Sequence, residues 1–160
     1  MNWLEIITLE FKVLFISMLP IVELRGAIPY GVSMGMSPLH AAVLGIIGGV
    51  VPVPFILLLI RPILNFLHAR DIFRTVIEKL THSTLKNKAK IQRYGFWGII
   101  LVVAVPLPGT GVWSGSLAAA LMDLRIKRAI PAIFLGNLIA GLIILVLSYG
   151  VTIGIGFFGR

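Results

Sequence analysis

Cysteine is absent from this chain of 160 residues, which excludes disulfides, thiolate metal sites and cysteine nucleophiles. Charge is nearly as scarce. Charged residues make up 12% of the chain and only six are Asp or Glu, against about 25% charged in soluble domains. His68 and His82 form no ligand spacing with each other, and neither a metal nor another cofactor is expected. A basic n-region and a small-residue cleavage site are both missing from "MNWLEIITLEFKVL", which carries Glu5 and Glu10 instead, so no secretory leader is expected. What the chain has in abundance is apolar material. It is 58% hydrophobic with a mean hydropathy of +1.03, the composition of an integral membrane protein, and its length suits one membrane domain over residues 1–160.

The net charge of +8 takes its meaning from its position. Eight basic and two acidic residues lie between Arg61 and Arg93, a net +6 in one segment. Nucleic acid is not an expected partner, because this excess sits between two apolar stretches. The positive-inside rule makes it a cytoplasmic loop. Within it Ile72, Phe73, Val76, Ile77 and Leu80 recur at helical spacing, which predicts an amphipathic helix on the inner leaflet.

About 20 apolar residues are needed to cross the hydrocarbon core. Leu39 to Ile60 is long enough, with Pro52 and Pro54 predicted to kink its second half, and so is Ala129 to Tyr149, preceded by Arg125, Lys127 and Arg128. The remaining apolar material is interrupted. Pro20, Glu23, Arg25, Gly26 and Pro29 break Phe11 to Leu39, and "VPLPGTG" breaks Phe96 to Met122. Each unbroken arm has about a dozen residues, which suits a re-entrant hairpin better than a span, and such backbone must pack in protein or line a wet cavity. Crossing of residues 11–39 as one kinked helix is the other reading.

The expected fold is therefore an all-α membrane protein with a repeat of re-entrant hairpin and crossing helix. An N-terminal interfacial segment covers 1–10, the first repeat 11–60, the basic amphipathic loop 61–94 and the second repeat 95–152. "MGMSPLHAAVLGIIGG" aligns with "MDLRIKRAIPAIFLGN", matching Met34 with Met122, Ala41 with Ala129 and Gly48 with Gly136. Pro20 matches Pro106 after a two-residue shift. With the basic loop inside, the first crossing helix runs inward and the second outward, so the repeat is inverted, as in secondary transporters whose sites form where broken helices meet.

"PIVELRGAIPYG" together with "VPLPGTGVWSGSLAAALM" resembles the small multidrug export proteins, short prokaryotic membrane proteins distantly related to the DedA/VTT group. The resemblance covers nearly the whole chain. It implies opposed re-entrant hairpins in a multi-pass protein of the prokaryotic plasma (inner) membrane. It also implies movement of lipids or lipid-phosphate carriers, in some members with proton-dependent drug tolerance. The DedA second hairpin carries arginines near its proline, whereas this chain has none between Arg93 and Arg125.

Charges at membrane depth are costly and therefore rare, which singles out Glu23 and Arg25. As a structural pair they would hold the hairpin together. As a functional pair Glu23 would take up and release a proton, tuned by Arg25, while Arg25 offers a planar fork to phosphate or carboxylate. Pro20, Gly26 and Pro29 are the expected hairpin-breaking residues. In the second tip Pro106, Pro108, Gly109, Thr110, Gly111 and Ser114 are expected to line a substrate site through backbone N–H groups and hydroxyls. Gly115 suits helix packing. Asn137 lies nine residues past Arg128, roughly 13 Å into the bilayer, within reach of a hairpin tip or of another helix. His40 suits the outer boundary, Trp97 and Trp113 suit interfacial or packing roles, and Gly45, Gly48 and Gly49 mark close helix contact.

A transporter or lipid-phosphate translocase is thus expected, proton-coupled, with membrane lipids, protons and an amphiphilic substrate as partners, and a homodimer because four membrane elements enclose little space. An enzyme is not expected. "PGTGVWSGS" looks like the Pro-Gly-x-Ser-Arg-Ser-Gly loop of undecaprenyl-pyrophosphate phosphatases, but Val112 or Trp113 stands where that loop has its arginine, and phosphoryl transfer needs concentrated positive charge. A membrane scaffold or assembly factor is the remaining class.

Overall fold

A computed structural model describes residues 3–69, 88–107 and 110–158, and every regular element among them is an α-helix. The helices are α1 (Trp3–Met18), α2 (Glu23–Ser33), α3 (Pro38–Val50), α4 (Pro52–Ala69), α5 (Lys88–Ala104), α6 (Val112–Leu121) and α7 (Ile126–Phe158). The amphipathic segment expected around Ile72 to Leu80 lies outside the described residues.

Among the described residues two stretches are long and apolar enough to cross a membrane: Pro38–Ile60, with mean hydropathy 2.7 over 23 residues, and Ile126–Gly150, with 2.6 over 25. At 1.5 Å per residue these measure roughly 35 and 38 Å, more than a hydrocarbon core of about 30 Å. The first is interrupted at Val51, just before the Pro52 and Pro54 that remove two helix donors. Ser37 caps its start, its hydroxyl accepting from the His40 amide, with Pro38 in the first turn.

The other four helices form two folded-back pairs. In the first, α1 and α2 flank a break at Leu19–Val22 that contains Pro20. α1 runs without a break from Trp3 to Met18. Glu5 in its first turn suits the positive end of the helix dipole, and no helix breaker intervenes before Pro20. Gly26 and Pro29 do not break the hairpin either. Both lie inside α2, where Pro29 costs only one donor and the preceding turn still holds through the Gly26 N–H to Val22 carbonyl bond. In the second pair α5 and α6 flank Val105–Gly111.

Local geometry recurs at a fixed interval. Among the described residues positive φ is confined to Glu23 (51°), Gly35 (91°), Gly111 (142°) and Asp123 (48°), so each of the first two has a counterpart 88 residues later. The end of α2 is closed by N–H donors of Met34, Gly35 and Met36 to the carbonyls of Tyr30, Val32 and Gly31. The end of α6 is closed identically, by Met122, Asp123 and Leu124 to Ala118, Ala120 and Ala119. The helices that follow start at Pro38 and Ile126, again 88 apart.

The halves share their cores. One core joins Leu9 and Val13 of α1, Leu24, Ala27 and Ile28 of α2 and Ala41 and Ala42 of α3 with Ala140 from the far part of α7. The other joins Ile99, Ile100 and Val103 of α5, Val112 and Ala119 of α6 and Ala129, Ala132 and Ile133 of α7 with Val53 and Leu57 of α4. Each long crossing stretch thus packs its beginning against its own hairpin and its end against the other one. Glycines permit the close approaches expected of them: a Cβ on Gly48 would overlap Ser17 and the Leu14 carbonyl, and one on Gly49 would press on Asn137. Outside these cores many large apolar side chains are exposed. Phe55, Leu58, Leu59, Ile63 and Phe66 form an exposed stripe on α4, an apolar face that suits lipid.

Candidate functional site

A helix end leaves up to four backbone groups without partners, and in lipid each is expensive. The break after α5 is acute in this respect. Pro106 has no N–H to return to the last turn of α5, and the Leu107 N–H turns to the Val105 carbonyl and the Thr110 hydroxyl rather than to the helix. The α6 start has the opposite need, for Gly111 provides no side-chain cap.

Glu23 and Arg25 meet these two needs from the first turn of α2, beside the other break. Arg25 reaches across with both terminal nitrogens: Nη2 donates to the carbonyls of Val103 (3.2 Å) and Val105 (2.9 Å), and Nη1 to those of Leu107 (3.0 Å) and Thr110. Its fork therefore acts as a C-terminal cap for α5 and the residues beyond it. Glu23, 5% exposed, sits on the start of α6, where its Oε1 accepts from the Trp113 amide at 3.3 Å and the carboxylate also takes the Val112 amide. An anion at a helix N-terminus is favoured by the free N–H groups and by the dipole. The two side chains touch each other more loosely, Nη1 to Oε2 at 3.4 Å.

The geometry explains two unusual backbone conformations. Glu23 occupies the left-handed region, uncommon for a side chain with a Cβ, and this turns its carboxylate toward the opposite hairpin. Gly111 has φ 142° and ψ −158°, which only glycine adopts readily. A Cβ at Gly111 would run into the Glu23 carboxylate. The positions that correspond at the 88-residue interval thus lie against one another.

The structure brings some of the expected site residues together and separates others. Glu23, Arg25, Thr110 and Gly111 converge at the contact between the breaks. Pro106 lies in the second break, and Pro108 and Gly109 lie outside the described residues. The Thr110 hydroxyl donates locally, to the carbonyls of Val105 (2.7 Å) and Leu107 (2.9 Å), so it stitches its own turn. Ser114 likewise bonds the Gly111 carbonyl at 3.2 Å. Asn137 is fully buried but stands away from the tips, its Nδ2 donating to the Ile46 carbonyl at 3.0 Å and so joining α7 to α3. Gly115 packs against Val103, and His40 pairs with Glu10 at 3.1 Å.

Trp113 is the residue that sequence reasoning left out of the site. Its amide serves Glu23, and its indole Nε1 donates to the Met18 carbonyl at the end of α1, 3.0 Å away. The register that aligns Met34 with Met122 also aligns Arg25 with Trp113, so a signal for it was available. Among the described residues no group of His, Cys, Asp and Glu is placed to hold a metal ion.

No curated protein and no solved structure matches the chain. The family model described as "Putative small multi-drug export protein" matches residues 23–143, a stretch that begins at Glu23, directly after the first break, and takes in the second break, the whole of the first crossing stretch and most of the second. With that match over most of its length, the chain belongs to the small multi-drug export protein family and is a helical membrane protein of that export class.

Proposed function

We propose that this protein is a proton-coupled transporter for an amphiphilic substrate with a phosphate-like headgroup, working through a central site where two re-entrant hairpin tips meet. In this reading the halves form an inverted repeat in the prokaryotic inner membrane, and two copies associate to enclose the pathway. At roughly 16 and 15 Å, α2 and α6 are half the thickness of the hydrocarbon core. That length supports hairpins that enter and return rather than cross.

One observation carries the reading: a carboxylate and a guanidinium from the helix start beside one break are seated on the free backbone ends of the other. Such a link can be opened by a proton. Protonated Glu23 loses its charge and part of its acceptor capacity, so its attraction to the α6 dipole falls. Arg25, released from the carbonyls as the tips part, presents its fork to a substrate anion. Loss of the proton draws Glu23 back onto α6 and closes the site. Pro106, Pro108, Gly109, Thr110, Gly111 and Ser114 shape the substrate side of the tip.

The test is flux in proteoliposomes, with a labelled polyprenyl phosphate and a lipophilic cation offered separately, with and without a pH gradient. The wild type is expected to move the phosphate faster under the gradient. Glu23→Gln is expected to insert and fold but to lose the response while retaining exchange. A wild type indifferent to the gradient, or a Glu23→Gln variant that still follows it, would overturn the proposal.

A further inference from the structure

Arg25 and Trp113 stand at the same place in the two halves, two residues after the positive-φ positions Glu23 and Gly111. Each sends its side chain to the end of the first arm of the opposite hairpin. Arg25 takes carbonyls at the end of α5, and the Trp113 indole takes that of Met18 at the end of α1. The clamp between the breaks is therefore two-sided, but its sides are unequal. On one side a charged fork engages four carbonyls and a carboxylate. On the other a neutral indole makes a single hydrogen bond. Charge-assisted bonds are roughly twice as strong as neutral ones, and here they are also more numerous.

We propose that Trp113 is the gating counterpart of Arg25: the Trp113–Met18 contact is the weaker latch, and the tips separate there first, while Arg25 keeps the α5 side closed. This deepens the transport reading above and rests on it for its purpose, although the order of opening is measured without substrate. Trp113 acts here as a positioning residue. Its loss would bias which side of the site is open rather than remove a group that touches substrate.

The absence of native cysteine makes the test direct. Ser17 and Val103 lie one turn or less before the two breaks and are each 1% exposed, so Ser17→Cys and Val103→Cys report opening on the two sides. Labelling by a small membrane-permeant maleimide is followed in proteoliposomes, in each background alone and combined with Trp113→Phe, which keeps the ring and removes the N–H. Ser17→Cys is expected to react faster than Val103→Cys. Trp113→Phe should speed the first by roughly two- to tenfold, the range for one hydrogen bond of ordinary strength, and leave the second unchanged. Trp97→Phe, on an exposed ring, should alter neither. Equal rates at the two cysteines, no effect of Trp113→Phe at Ser17→Cys, or acceleration at both positions alike would each overturn the proposal. A transport failure with selective labelling intact would count against the function alone.

Discussion

Replacing Arg25 and Glu23 singly and together distinguishes a clamp across the breaks from a simple ion pair. Arg25→Met keeps the length of the unbranched stem and removes the guanidinium with every side-chain donor. All four carbonyls lose this donor, but those of Val105 and Leu107 keep the Thr110 hydroxyl and turn N–H groups, which leaves the Val103 and Thr110 carbonyls. At a lower bound of about 1 kcal/mol for each unsatisfied group, the cost is about 2 kcal/mol or more. By the scaling of soluble proteins of this size, that lowers the melting temperature by roughly 5 °C. Glu23→Gln preserves an oxygen for the Trp113 amide and loses mainly the charge at the α6 terminus, a change of about 0.5–2 kcal/mol. Because each side chain bonds chiefly to backbone of the opposite hairpin and the 3.4 Å contact between them is the weakest of the set, their losses should nearly add. The double variant should be less stable than either single, with a coupling of about 1 kcal/mol or less in the cycle. The assay is thermal melting in detergent, alongside size-exclusion chromatography to establish that each variant is folded. An ion pair holding only itself together predicts the reverse, with the double variant close to the wild type. That rescue would refute the clamp.

Gly111→Ala should be more damaging than Gly115→Ala. The first imposes a Cβ on φ 142° and on the Glu23 carboxylate, whereas the second presses only on a Val103 methyl, and melting of the two variants compares them. Asn137→Leu should cost about 1–2 kcal/mol through the lost bond to the Ile46 carbonyl and leave substrate preference unchanged in the flux assay, which a substrate-contacting Asn137 would not. A reporter fused near Lys88 should lie in the cytoplasm and one after Phe158 outside, since a single long helix follows Arg125; cytoplasmic signals from both would remove the inverted arrangement.

Some of this protein was legible in residues alone because it rests on local chemistry. The scarcity of charge implied the membrane, and two long apolar stretches anticipated the two that are long enough to cross it. Prolines at 20 and 106 marked the breaks, since a missing N–H and a fixed φ act wherever the residue sits. The alignment of Met34 with Met122 anticipated the 88-residue interval that the backbone repeats. Gly45, Gly48, Gly49 and Gly115 proved to be sites of close helix approach, as small residues in apolar helices suggest. Gly26 and Pro29 misled because their breaking tendency is only a propensity. Once α2 is packed between α1 and α3, burial of Leu24, Ala27 and Ile28 outweighs one glycine and one lost donor.

Only the tertiary structure decided what Glu23, Arg25, Trp113 and Asn137 do. A charged pair two residues apart reads locally as a pair. In the fold each member turns to a different end of a break some 80 to 90 residues away, because that break exposes carbonyls on one side and amides on the other. Trp113 reads as an interfacial aromatic until its indole is seen against the Met18 carbonyl, and Asn137 reads as a tip residue until α3 passes beside it. Unpaired backbone groups are a property of where the chain stops being helical, and their partners depend on which segments the cores bring face to face. No local pattern encodes that meeting.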